Sequence, residues 1–185
     1  MSYSLDAALL LLRVVVGLLM IGHAMQKLTG AFSGDGFAKT AAIFEYIDFK
    51  PGRVHVAIAI AIEGICGVLL VLGLLSSFAA AALAGTLVVA ASVHWKNGLW
   101  GSNGGIELPA LLAVVAVGLA LAGPGRFSVD HAIGSDAASW MRWIAAFAGP
   151  ILGMVFIAAK PIMARIGGAT VQSFAPQPTP GSPDV

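Results

Sequence analysis

The sequence predicts an all-α integral membrane protein: a four-helix transmembrane bundle with a fifth C-terminal span and an interfacial amphipathic helix in the first loop. Three observations predict it. The 185 residues are 58% hydrophobic and 10% charged, with a mean hydropathy of +0.92, far outside the composition of a soluble domain. Apolar runs of about 20 residues, the length a helix needs to cross a hydrocarbon core about 30 Å thick, recur along the chain. The runs are continuous rather than alternating, which selects helices over barrel strands.

The first span runs from about Leu5 to Met25. It begins after "MSYS" without a basic leader and continues without an A-x-A cleavage site, so it reads as a permanent span rather than a signal peptide. The loop from Gln26 to Arg53 holds "GFAKTAAIFEYI", in which Phe37, Ala41, Phe44 and Ile47 recur at helical spacing. It reads as an amphipathic helix at the interface, introduced by the turn "AFSGDG" and roofing the polar groups below it. Val54 to Leu75 is the second span and Phe78 to His94 the third, joined by "SS" into a tight antiparallel hairpin. Glu107 to Ala122 is the fourth and Met141 to Ala159 the fifth. Small residues at four-residue spacing, Ala80 with Ala84, Ala81 with Gly85, and Gly149 with Gly153, predict close helix packing by spans three and five.

The domain organisation is therefore a bundle over residues 1–140, an additional transmembrane helix over 141–165, and a tail over 166–185. That tail, ending "APQPTPGSPDV", has the composition of a disordered segment. Lys27, Lys39, Lys50, Arg53, Lys96, Lys160 and Arg165 fall on one side of these spans and Arg126 and Arg142 on the other. The positive-inside rule then places the first loop and the C-terminus in the cytoplasm and the N-terminus outside a bacterial plasma membrane. A net charge of +1 points to no nucleic acid, and one cysteine, Cys66, supports neither a disulfide framework nor a thiolate metal cage.

Charged residues inside spans mark function or a paired partner. Glu63 lies ten residues beyond Arg53, about 15 Å along a helix and near mid-membrane. His23 and Lys27 share a helical face near the same membrane surface, His94 reaches that surface at the end of span three, and Glu107 opens span four there. Four spans thus send polar groups to one half of the bilayer, and the other half reads as almost free of them. Each has a plain structural reading: interfacial side chains for His23, Lys27 and His94, and helix N-terminal stabilisation for Glu107 before Pro109. Arg13, about 21 Å from Lys27 along span one, is a candidate structural ion-pair partner for Glu63. The functional alternative is a polar pocket where Glu63 and the histidines exchange protons with quinone, a membrane-soluble partner whose reduction consumes protons and electrons. His23 and His94 could instead be axial haem ligands, although nothing else marks a haem site.

The succession "GLLMIGHAMQKL", "FE" at Phe44 and Glu45, "AIEGICGVLLVLGLLSSFAA", "HWKNG", "GGIEL" and "GPGRFSVD" resembles the DoxX family over about Leu9 to Asp130. The resemblance implies a compact four-helix membrane bundle whose motif positions fall on His23, Lys27, Glu63, His94, Asn97, Gly98 and Glu107. It also implies an oxidoreductase association. The related DoxD proteins are subunits of a thiosulfate:quinone oxidoreductase, and actinobacterial DoxX proteins are linked with a complex containing a superoxide dismutase and a sulfurtransferase. The fifth span and proline-rich tail depart from that pattern, and a lone cysteine leaves sulfur chemistry to partners.

The expectation is a subunit of a quinone-linked membrane oxidoreductase. In it Glu63 and His94 are catalytic, His23, Lys27, Asn97 and Glu107 bind substrate, and soluble superoxide dismutase or sulfurtransferase partners do the remaining chemistry. A non-catalytic anchor for such a complex and a small-molecule transporter are the alternatives. Transport has less support, because no paired broken helices occur in matching halves.

Overall fold

The computed structural model describes residues 3–173. Helix α1 (Tyr3–Thr29) is followed by α2 (Gly36–Tyr46), α3 (Gly52–Leu72) and α4 (Ser76–His94). Two short 3-10 turns, Trp95–Asn97 and Gly101–Asn103, lead to α5 (Glu107–Ala122), then α6 (Val129–Ala132) and α7 (Ser139–Ser173). No strand occurs among the described residues.

Four stretches are long and apolar enough to cross a membrane: Tyr3–Thr29, Gly52–Leu72, Ser76–Asn97 and Ser139–Ile162. The C-terminal helix expected as an addition to the bundle is thus among these four, and the short member is α5. Its 16 residues reach about 24 Å, less than the hydrocarbon thickness. Helix α7 continues unbroken to Ser173 despite Pro150 and Pro161. It therefore takes in residues 166–173 of the segment expected to be disordered, and 174–185 lie outside the described residues.

Helix pairs in lipid gain little from the hydrophobic effect, so backbone proximity carries the packing. Two glycine crossings show it. On α1 and α3, a Cβ at Gly17 would lie 2.6 Å from the Gly67 carbonyl oxygen, and one at Gly67 would lie 2.8 Å from that of Gly17. On α4 and α7, a Cβ at Gly153 would lie 2.5 Å from the Gly85 oxygen, one at Gly85 equally close to the Gly149 oxygen, and one at Gly149 would collide with the Ala81 carbonyl. Of the small-residue pairs read from spans three and five, Ala81 with Gly85 and Gly149 with Gly153 form this second crossing. Leu70, Leu83, Ala84, Ala116 and Ala120 fill the centre between α3, α4 and α5.

The α3–α4 hairpin turns on Gly73, whose φ of 70° is a left-handed conformation that glycine adopts at little cost. Leu75 is left-handed too, at φ 49°. It is held there by Asp130, whose carboxylate accepts from Leu75 N at 2.8 Å and Ser76 N at 2.9 Å. At the other end of the bundle α2 lies against α3 and α1, with Thr40 and Ala41 buried and Phe37, Phe44 and Ile47 half-buried. Glu45 Oε2 fastens this helix by accepting from Gly52 N at 2.8 Å.

Candidate functional site

Glu63 sits on the inward stripe of α3 with Val56, Gly67 and Leu70. Lys27, two turns beyond Met20 on α1, reaches it from the neighbouring helix. Its ammonium donates to both carboxylate oxygens, at 2.9 Å to Oε1 and 2.7 Å to Oε2. The side chains are 7% exposed for Glu63 and 23% for Lys27. This asymmetry leaves the cation with a route toward the membrane surface that the anion lacks.

Glu63 therefore pairs with Lys27 and not with Arg13. The guanidinium of Arg13, 1% exposed, lies against Gly73, where a Cβ would fall on it. Gly73 is ten residues from Glu63 (73 − 63), about 15 Å along α3. Arg13 Nη2 donates to the Phe127 carbonyl, and Asp130 acts on it electrostatically. Asp6 Oδ1 accepts from Arg126 N at 3.0 Å, and Asp130 N donates to the Gly73 carbonyl at 2.9 Å. The segment after α5 is thereby stitched into the bundle end opposite Lys27. That half of the molecule, expected to be nearly free of polar groups, buries Asp6, Arg13, Ser76, Ser77 and Asp130.

His94, Asn97 and Glu107 lie apart from the pair, whereas His23 is one turn before Lys27 on α1 and has a partner of its own. His23 Nδ1 donates to Gln26 Oε1 at 3.0 Å, and Gln26 Nε2 donates to the Phe32 carbonyl at 3.2 Å, so His23 braces the turn after α1. His94 Nδ1 and Asn97 Nδ2 donate to one acceptor, the Gly104 carbonyl, at 3.1 and 3.0 Å. Glu107 Oε2 accepts from Gly101 N at 2.8 Å. These three residues organise the exposed loop carrying Trp95 and Trp100. The hairpin register also separates them from the pair. Glu63 is nine residues before the end of α3 at Leu72, whereas His94 is eighteen after the start of α4 at Ser76, an offset of about 13 Å.

A histidine outside the sequence reading is also buried. His55 Nε2 donates to the Lys50 carbonyl at 3.2 Å, and its Nδ1 is buried without a partner. Its ring meets Phe156 of α7 edge-on at 5.5 Å, Phe156 stacks on Phe49 at 5.7 Å, and Lys160 Nζ lies 4.7 Å above the Phe49 ring. Its position in an apolar run, three residues into α3, was the available signal. Among the described residues no group of three or more His, Cys, Asp or Glu is placed to hold a metal ion.

The model of the DoxX family matches residues 8–95. Over those residues, a little under half of the chain, the sequence is similar to the DoxX family. The match takes in α1 through α4, and so the Lys27–Glu63 pair, His23 and His94; α5, α7 and the Asp130 segment follow it. No curated protein and no solved structure matches the chain.

Proposed function

We propose that this DoxX-like protein is the membrane-embedded subunit of a quinone-linked redox complex, with the Lys27–Glu63 pair as the group that exchanges protons with the quinone. The observation that supports this reading is the pair itself: a carboxylate inside an apolar span, held at both oxygens by an ammonium that still reaches the surface. Inserting an unpaired acid at such a depth costs on the order of 2.5 to 3.5 kcal/mol, so an acid placed there with a partly exposed cation suits a working group. Reduction of a quinone to a quinol takes two electrons and two protons. In this reading the two protons come from water at the cytoplasmic surface and pass to the quinone oxygens through the pair, whose proton rests on the Lys27 ammonium and is restored by way of Glu63 after each transfer, and a soluble partner supplies the two electrons. Superoxide dismutase and sulfurtransferase partners belong to the same proposal, as do placement in a bacterial plasma membrane with the Lys27 end cytoplasmic and a bilayer crossing by α5. His94, Asn97 and Glu107 enter as the residues that shape the cytoplasmic loop where a partner docks.

A non-catalytic anchor is the second reading, favoured by the backbone partners of those three loop residues. Purification from native membrane in mild detergent, with extraction of bound quinone and identification of co-purifying proteins, separates the two. A redox subunit brings down stoichiometric quinone and a redox enzyme. An anchor brings down the enzyme alone.

A further inference from the structure

The loop between α4 and α5, at the Lys27 end of the bundle, exposes large apolar side chains yet is tightly built. Trp95 is 70% exposed, Leu99 53% and Trp100 62%. The backbone around them closes on itself: Gly105 N donates to the Trp100 carbonyl at 3.0 Å, Ile106 N to that of Gly98 at 3.0 Å and Glu107 N to that of Leu99 at 2.8 Å. His94 and Asn97 add side-chain bonds to the Gly104 carbonyl, and Glu107 accepts one from Gly101 N. A loop in water gains little from such closure, because water serves its backbone as well. A loop at the depth of lipid headgroups meets less water and must supply its own partners. The bonds from Ile106 and Glu107 also lay Leu99 beside the start of α5. Exposed apolar side chains therefore run from Val93 on α4, through the loop, to Leu108 and Leu111 on α5.

We propose that Trp95, Leu99 and Trp100 insert into the headgroup–hydrocarbon boundary of the bilayer and make up, at this end, the length that α5 lacks. Sixteen residues reach about 24 Å, which leaves α5 about 6 Å short of a hydrocarbon core about 30 Å thick. Tryptophan suits the boundary because its ring is apolar while its indole N–H finds a partner in the wet headgroup layer. Lys96, exposed between the two tryptophans, brings a cation to the level of the lipid phosphates. Ser102 and Asn103 of the second 3-10 turn, both exposed, stay on the aqueous side and remain open to a soluble partner. The inference does not depend on the quinone. It shares with the reading above only the bilayer crossing by α5, which cysteine labelling from the two sides of the membrane tests separately.

The test uses the full chain in nanodiscs of phosphatidylcholine with phosphatidylglycerol. Trp140→Phe with Trp143→Phe removes the other tryptophans, and adding Trp100→Phe or Trp95→Phe leaves Trp95 or Trp100 as the single emitter. The probes are iodide in the water and phospholipids brominated either just below the headgroup or near the chain end. Each emitter should be quenched more by the shallow bromines than by the deep ones, and should be shielded from iodide by about fivefold or more relative to free tryptophan. Ready quenching of either by iodide, with no response to brominated lipid, overturns the proposal. If the native complex then shields that tryptophan, the loop is a protein-docking surface instead. Stronger quenching by the deep bromines places the loop in the hydrocarbon and also overturns it. The length argument has its own readout. In a Cys66→Ser background, Leu108→Cys should react with a water-soluble maleimide about fivefold faster when Trp95→Gln and Trp100→Gln are added, at an unchanged thermal midpoint. An unchanged rate overturns the compensation of α5. Should the glutamine variants fail to fold, the emission measurements, which need only Trp→Phe changes, still decide the insertion.

Discussion

Removing Lys27 should harm the protein more than removing the charge of Glu63. Lys27→Met leaves a carboxylate with a 7% exposed side chain and no cation, and breaking a buried pair in this way costs about 3 to 5 kcal/mol. Glu63→Gln instead leaves an ammonium that is 23% exposed, can donate to the amide oxygen, and can extend toward headgroups. Its loss is nearer that of a single charged hydrogen bond, about 1.5 to 3 kcal/mol. Replacing both residues with apolar ones, Lys27→Met with Glu63→Leu, strands no charge and should return stability to within about 1 kcal/mol of wild type or above it. Reversible unfolding in mixed micelles at neutral pH measures all of this. Equal losses in the two single variants, or a double variant as unstable as Lys27→Met, would refute the reasoning.

Asp130→Ala strips both caps from the start of α4 and the counter-charge from Arg13. It should cost about 3 kcal/mol in the same unfolding assay, and Asp130→Asn should recover part of that through its remaining acceptor. Gly149→Leu places a side chain against the Ala81 carbonyl and should separate α7 from α4, seen as lost disulfide cross-linking between cysteines placed across that crossing in a Cys66→Ser background. Cysteine labels at Lys39 and Ser128 of Cys66→Ser should react from opposite sides of the membrane, because Ser128 lies with the α3–α4 turn and Lys39 on α2 at the other end. Reaction from one side contradicts a bilayer crossing by α5.

The helices were legible because hydropathy and length report directly on burial in lipid, and the close-packing faces of α4 and α7 because Ala81 and Gly85, and Gly149 and Gly153, recur at four-residue spacing, although not that these faces meet each other. What sequence spacing could not supply was rotation and register between helices. It placed Lys27 and Glu63 in one half of the bilayer yet offered Arg13 as the candidate partner of Glu63, since depth along each helix says nothing about which contact fixes their alignment. The Gly17–Gly67 contact fixes it and sets Arg13 beside Gly73. Asp130 was read as part of a loop motif because its partners, Leu75 and Ser76, are 55 and 54 residues away and present backbone groups that no side-chain pattern announces. Asp6, Ser76 and Ser77 were hidden similarly: polar residues at helix ends look solvated until a returning segment covers them. His94 and Glu107 were read as polar residues at one end of the bundle and Asn97 entered through the family resemblance, but spacing could not show that each is engaged with the backbone of a single loop.

The central claim is that Glu63 exchanges protons with a quinone. It is tested most directly by quinol formation in the purified native complex carrying Glu63→Gln, assayed at equal content of this chain and of co-purifying enzyme. The account predicts an assembled complex that retains bound quinone and loses turnover by about 10²-fold or more, the scale of a missing general acid–base group. An assembled complex with turnover equal to wild type would contradict it.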